Sequence, residues 1–141
     1  MERSRAKPGH RWEIITGPEF REWRNGLAPN AADSITATLQ ELQSNGPTLP
    51  SKLAKKIKSS HYGELHELRS LSGHRRILFA RDGKQRAVLL LGGDKTNAWR
   101  SWYDKHVPIA DELYREYRKT RGGDPQWRVL NRGSRSKTLG R

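Results

Sequence analysis

Residues 63–103 read GELHELRSLSGHRRILFARDGKQRAVLLLGGDKTNAWRSWY, and this stretch decides the fold. Within it, residues 75–81 and 86–92 are two strand-like runs joined by Asp82-Gly83, a dipeptide that tolerates the positive φ of a tight hairpin. In the first run alternation places Ile77 and Phe79 on a core face and turns Arg76 away from it. In the second, Ala87 to Leu91 are apolar at every position, the pattern of a central strand covered on both faces. The shorter run Leu65–Arg69 precedes them as an outer strand, giving an antiparallel meander.

Outward from the meander, Trp12–Thr16 reads as a strand, and Gly17-Pro18 leads into a helix with Phe20, Trp23 and Leu27 at helical spacing. Pro29-Asn30 opens a second helix, with Asn30 as its N-cap and Ile35, Leu39 and Leu42 as its buried stripe. Asn45-Gly46-Pro47 ends it. A loop follows, then Lys52, Lys55, Lys56 and Lys58, a group that is either a solvated face or an RNA contact, with RNA favoured.

After the meander, Trp99, Trp102 and Tyr103 stand at i, i+3 and i+4 and share one helical face. Pro108 suits the first turn of a further helix with Ile109, Leu113 and Tyr117 as its stripe. The expected class is α+β, a small antiparallel or mixed sheet of about four strands in the order β-α-α-β-β-β-α. Residues 1–11 are expected to form a flexible basic N-terminus, 12–119 one domain and 120–141 a basic disordered tail. That tail holds six Lys or Arg against one acid, too little apolar surface to order itself, although Trp127, Val129 and Leu130 are suited to docking on a partner.

Composition narrows the function. The chain has 141 residues, 28 Lys and Arg against 15 Asp and Glu, a net charge of +13 and no cysteine. The imbalance favours a polyanionic partner, nucleic acid first. Absence of cysteine removes disulfides, thiolate metal sites and a catalytic thiol. No apolar run approaches membrane-spanning length and the N-terminus lacks a signal-peptide core, so a cytoplasmic location is expected. GxSxG, P-loop and HExxH motifs are missing, and the five histidines lack metal-ligand spacing. No metal and no small-molecule cofactor is therefore expected.

Linked pieces of the chain resemble the RelE/ParE superfamily of bacterial toxins, most closely its HigB-like branch. They are Trp12–Thr16 followed by Pro18-Glu19, the Asn45-Gly46-Pro47 break with its lysine-rich sequel, Glu67-Leu68-Arg69, Arg76–Phe79 leading to Asp82, Gly92-Gly93-Asp94-Lys95, and Val107–Asp111. Over residues 12–119 the resemblance implies a RelE-like fold, a metal-independent mRNA endonuclease acting on the ribosome, and a helix-turn-helix antitoxin as partner.

It also implies Arg76 as the phosphate-binding arginine. Its structural alternative is an ion pair with Asp82 or Glu67. Arg69 is either a second phosphate ligand or a partner of Glu67. Lys95 is a candidate base or acid, provided its pKa is lowered. Where the best-known RelE pattern has an arginine after the glycine and a tyrosine near its end, this chain has Thr96 and then the aromatic helix. His106 and His74 are the imidazole candidates. Lys55, Lys56 and Lys58 are expected on RNA backbone, and Trp102 or Tyr103 on an unpaired base. Two other readings stay open, a ParE-like gyrase inhibitor and a non-catalytic RNA-binding module.

Overall fold

A computed structural model describes residues 11–46, 54–60, 64–71, 75–83, 85–94, 99–121 and 123–130. Its elements are β1 (Glu13–Thr16), α1 (Pro18–Asn25), α2 (Pro29–Asn45), β2 (Ala54–Lys56), β3 (Leu65–Arg69), β4 (Arg76–Arg81), β5 (Arg86–Gly93), α3 (Trp99–Thr120) and β6 (Arg128–Val129). The strands form one mixed sheet in the order β2-β3-β4-β5-β1-β6. Only β1 and β5 run parallel; the other neighbours are antiparallel.

The expected α+β class holds, and the hairpin turns at Gly83 with φ 78°. Strand β5 lies between β4 and β1, and its residues Ala87 to Leu90 are buried. The sheet separates two cores. On one side α1 and α2 bring Phe20, Ile35, Leu39 and Leu42 against Ile14, Leu68, Ile77, Phe79 and Leu89. On the other α3 brings Val107, Ala110, Tyr114 and Tyr117 against Ile15, Leu65, Leu78, Val88 and Leu90. Burying a large apolar side chain is worth about 1.5–3 kcal/mol, so a sheet apolar on both faces gains from a helical layer on each.

A register shift between Leu78 and Phe79 interrupts the β4–β5 ladder. Both Leu90 and Leu91 consequently pack on the α3 side. Such a bulge re-aims the residues that follow it. Gly92 thereby meets Trp23 of α1, and Gly93 meets Trp102 of α3. A methyl group at either glycine would overlap the facing indole.

Several expectations are corrected. Among the described residues the sheet has six strands rather than about four, and β3 is flanked by β2 instead of being outer. Ala28, not Asn30, caps α2, with Pro29 as its first residue. The aromatic segment and the Pro108 segment form a single helix, α3. Proline lacks the amide hydrogen and crowds the carbonyl four residues back. Asp104 and Pro108 are both exposed, so that crowding falls on the solvent side while the buried stripe holds both halves to the sheet.

The tail departs most. Rather than being disordered from residue 120, the chain returns across α3, buries Trp127 in the α3-side core and pairs β6 antiparallel with β1 through Ile15–Val129 and Thr16–Arg128. Its docking surface is the chain's own first strand. The N-terminal stretch 1–10 and residues 131–141 lie outside the described residues.

Candidate active site on the α3 face of the sheet

Alternation along β3 and β4 brings Glu67, Arg69 and Arg76 to the same side as Leu65 and Leu78, facing α3. Arg69 and Arg76 are direct cross-strand partners, and Arg76 is next paired to Gly93. Glu67 lies diagonal to Arg76. Its Oε2 accepts from Arg76 Nε at 2.9 Å and from Arg69 Nε at 3.2 Å. The Glu67 side chain is 8% exposed, Arg76 13% and Arg69 39%. A buried carboxylate is tolerated only when paired and hydrogen-bonded, and here two guanidinium groups meet that need.

Helix α3 closes the site from above. Trp99, Trp102, Tyr103 and His106 follow i, i+3, i+4, i+7 spacing and form one face. The Arg76 guanidinium carbon lies 4.8 Å from the Trp99 ring centroid, a cation–π contact that fixes the plane of the fork. The Tyr103 hydroxyl is hydrogen-bonded to Glu67. Burial first, and then that bond and the carboxylate's charge, push the Tyr103 pKa well above the ordinary value, with the Arg76 charge opposing. Tyr103 therefore keeps its proton and donates a hydrogen bond to Glu67.

His106 stacks on Trp102 at 4.6 Å with the rings 18° from parallel. Its Nδ1 lies 2.8 Å from the Trp102 carbonyl oxygen, which can only accept, so Nδ1 carries a hydrogen. That bond leaves Nε2 as the atom for proton exchange. Beside this group, Arg75 Nε donates to Asp94 Oδ1 at 3.2 Å. Among the described residues no cluster of three or more His, Asp or Glu is arranged to hold a metal ion.

Residues 22–115 match the family model described as Phage derived protein Gp49-like (DUF891). The chain belongs to this family. Two curated relatives come from Mycobacterium tuberculosis (strain ATCC 25618 / H37Rv). The protein named "Putative toxin HigB3" is 39% identical over 99 residues, covering 70% of this chain and 87% of the relative. The one named "Putative toxin HigB2" is 35% identical over 98 residues, covering 67% of this chain and 49% of the relative. The chain thus spans about half the length of the second.

In this Gp49-like chain the expected site residues separate into groups. Arg69, Arg76, Trp102, Tyr103 and His106 gather on the α3 face. Arg76 does turn away from Ile77 and Phe79, yet it is largely covered and holds the Glu67 ion pair weighed as its alternative role. Tyr103 is engaged with Glu67, and Trp102 sits edge-on to Trp99 at 5.4 Å.

The lysines do not form one patch. Lys55 stands opposite Glu67 in the β2–β3 register, Lys56 stands opposite His66, and Lys58 follows in a turn. Since Ala54 packs on the α1/α2 side and Ile57 on the α3 side, Lys55 belongs to the α3 side and Lys56 to the reverse. Lys52, His74 and Lys95 lie outside the described residues.

Glu67 and Trp99 were missed as site residues. Glu67 and Arg69, two apart on a strand with Arg76 across the next one, already share a face by alternation alone. That was the available signal. For Trp99 the signal was its i+4 and i+7 relation to Tyr103 and His106.

Proposed function

We propose that this chain is the toxin of a type II toxin–antitoxin pair, a RelE-type endoribonuclease that cleaves mRNA on the ribosome in the cytoplasm and is silenced by a helix-turn-helix antitoxin. The observation that carries the reading is the single Glu67 oxygen shared by Arg69 and Arg76 beneath the Trp99–His106 face. The toxin names of the two relatives support it, as does the net charge of +13.

RNA cleavage without metal needs a base for the 2′-hydroxyl, cations for the charge that grows on the phosphoryl oxygens, and an acid for the leaving 5′-oxygen. A substrate phosphate draws Arg69, the more exposed partner, from Glu67, and Arg76 remains aimed by Trp99. The freed Glu67 oxygen accepts the 2′-hydroxyl proton. As the 2′-oxygen bonds to phosphorus, the two arginines hold the non-bridging oxygens, for which the guanidinium fork is suited. The P–O5′ bond breaks and protonated His106 delivers its Nε2 hydrogen to O5′. The products are a 2′,3′-cyclic phosphate and a 5′-hydroxyl. Lys95 remains a further candidate cation beyond Gly93.

The deciding experiment induces the chain in bacteria, maps new mRNA 5′ ends and determines their chemistry. Ribosome-dependent cuts with 5′-hydroxyl ends are expected. Trapped gyrase–DNA complexes without mRNA cuts would instead establish gyrase inhibition.

A further inference from the structure

The reverse face of the sheet carries a second group of cations that cleavage at Glu67 leaves unused. Lys56, His66 and Arg81, from β2, β3 and β4, line one open groove of about 340 Å³ together with Glu64 and Gly83. The register pairs Lys56 with His66 and His66 with Phe79, so all three side chains lie on the α1/α2 side, at the hairpin end.

His66 and Arg81 are each held in a defined pose. The His66 ring stacks on Phe79 at 5.4 Å, and its Nδ1 donates to the Glu64 carbonyl at 2.9 Å, which leaves Nε2 for a ligand. The Arg81 guanidinium carbon sits 4.9 Å from the Trp12 ring centroid. Lys56 is exposed. Among the described residues, Glu64 is the one acid lining the groove. Burial lowers the His66 pKa, and the charges of Arg81 and Lys56 lower it further, against the opposing Glu64 carbonyl bond and Glu64 charge. Neutral imidazole between two fixed cations is the arrangement that an arriving dianion or diester would convert to imidazolium.

We infer that this groove binds a backbone phosphate of single-stranded RNA, with Lys56 and Arg81 as permanent cations and His66 as a third that ionises on binding. Donors from three adjacent strands, spaced about 4.8 Å apart, suit a tetrahedral group with oxygens pointing several ways. Strand β2 is the sheet edge and sends Lys55 to the Glu67 side and Lys56 to the groove side, so one strand of RNA rounding that edge meets cations on both faces. The groove does not require Glu67 to act, and its test is independent of cleavage.

The full chain is titrated with a short fluorescent 2′-O-methyl RNA, which resists 2′-hydroxyl attack, across a salt series at pH 6 and pH 8. Tighter binding at pH 6 is expected. Lys56→Ala combined with Arg81→Gln should weaken binding roughly ten-fold and reduce the log–log salt slope by about 0.7, the amount for one lost phosphate contact on single strands. His66→Gln should shrink the difference between the two pH values. An unchanged slope and unchanged pH dependence would overturn the assignment, as would tighter binding of polyglutamate than of RNA.

Should the double variant fail to fold by circular dichroism, the imidazole resonances of the unmodified protein decide. RNA must shift the His66 signals, and inorganic phosphate must compete for them. Signals that respond to inorganic phosphate but not to RNA would make the groove a free-phosphate site and overturn the inference.

Discussion

Arg69 and Arg76 face each other directly across the β3–β4 ladder, and both turn their Nε to the same oxygen of Glu67. Like charges placed opposite one another destabilise a sheet, so the pairing persists because one carboxylate serves both. Arg76→Ala leaves Glu67 with Arg69 and Tyr103 as partners. The variant should stay folded while RNA cleavage falls about 10²–10³-fold, the loss of about 2.7–4 kcal/mol of transition-state stabilisation that follows removal of one such donor. A circular-dichroism melt alongside a cleavage assay checks it; loss of activity only through unfolding would remove Arg76 from the catalytic group.

Glu67→Gln keeps the size of the side chain and removes its charge and basicity. Cleavage should fall at least as far as in Arg76→Ala, and toxicity on induction should disappear. Retained cleavage would show that Glu67 only positions the arginines and that the base lies elsewhere.

The paired glycines of β5 give a test of geometry. Alanine at Gly92 overlaps Trp23 and alanine at Gly93 overlaps Trp102, and overpacking of this kind costs about 1–3 kcal/mol. Both variants should melt earlier. Only Gly93→Ala lifts α3 from the arginines, so it should lose more cleavage than Gly92→Ala at matched folded fraction. Equal losses would uncouple the seating of α3 from activity.

At the other end of α3, buried Asp82 accepts hydrogen bonds from Tyr117 at 3.0 Å, from Arg86 at 3.3 Å and from Arg121. Burial alone would raise the Asp82 pKa, but the Arg121 and Tyr117 bonds and the Arg121 charge outweigh it and hold the carboxyl below its ordinary 3.8. The folded value is the depressed one, so this contribution is present above about pH 3.8 and is lost as pH falls through the folded value. Tyr117 has the opposite sign. Burial and the Asp82 bond push it from 10.0 up to about 12, and its contribution is present below pH 10 and lost as pH rises towards 12. Asp82→Asn should flatten the acid limb of a stability–pH curve and Tyr117→Phe the alkaline limb; limbs matching the unmodified protein would refute the assignment.

If the antitoxin works by covering the proposed site, hydrogen exchange should slow at Arg69, Arg76 and Trp99–His106 in the complex, where a few aromatic and arginine side chains supply much of an interface's affinity. Unchanged protection there would mean inhibition at a distance.

The centre of the fold was legible and its margins were not. Asp82-Gly83 and the continuous apolar run of β5 are local signals, complete within a few residues, and the structure follows them. The merged α3 was hidden because a proline in a helical pattern reads as a start; only packing of Trp102 and Val107 on the same sheet shows that the two halves are one. Trp127 and β6 were hidden because Gly122, Gly123 and the arginines around them read as tail, and the partner of β6 is more than a hundred positions earlier. The same limit applies to the site. Arg76, the aromatic face and Glu67 as a possible ion-pair partner were visible as residue types, but that one Glu67 oxygen serves both arginines under α3 depends on contacts between three elements far apart in sequence.

The return of the chain to Ile15 and Thr16 through Val129 and Arg128 also has a temporal meaning. Strand β1 is synthesised early, but its parallel neighbour β5 and its antiparallel neighbour β6 are synthesised much later, and contacts so distant in sequence are slow to form. A nascent chain must wait for both before its first strand has two hydrogen-bonding partners. Translation that stops before Trp127 leaves β1 with one flank bare and a gap in the α3-side core, so an aborted product of this gene is a poorly closed sheet and not a smaller working copy.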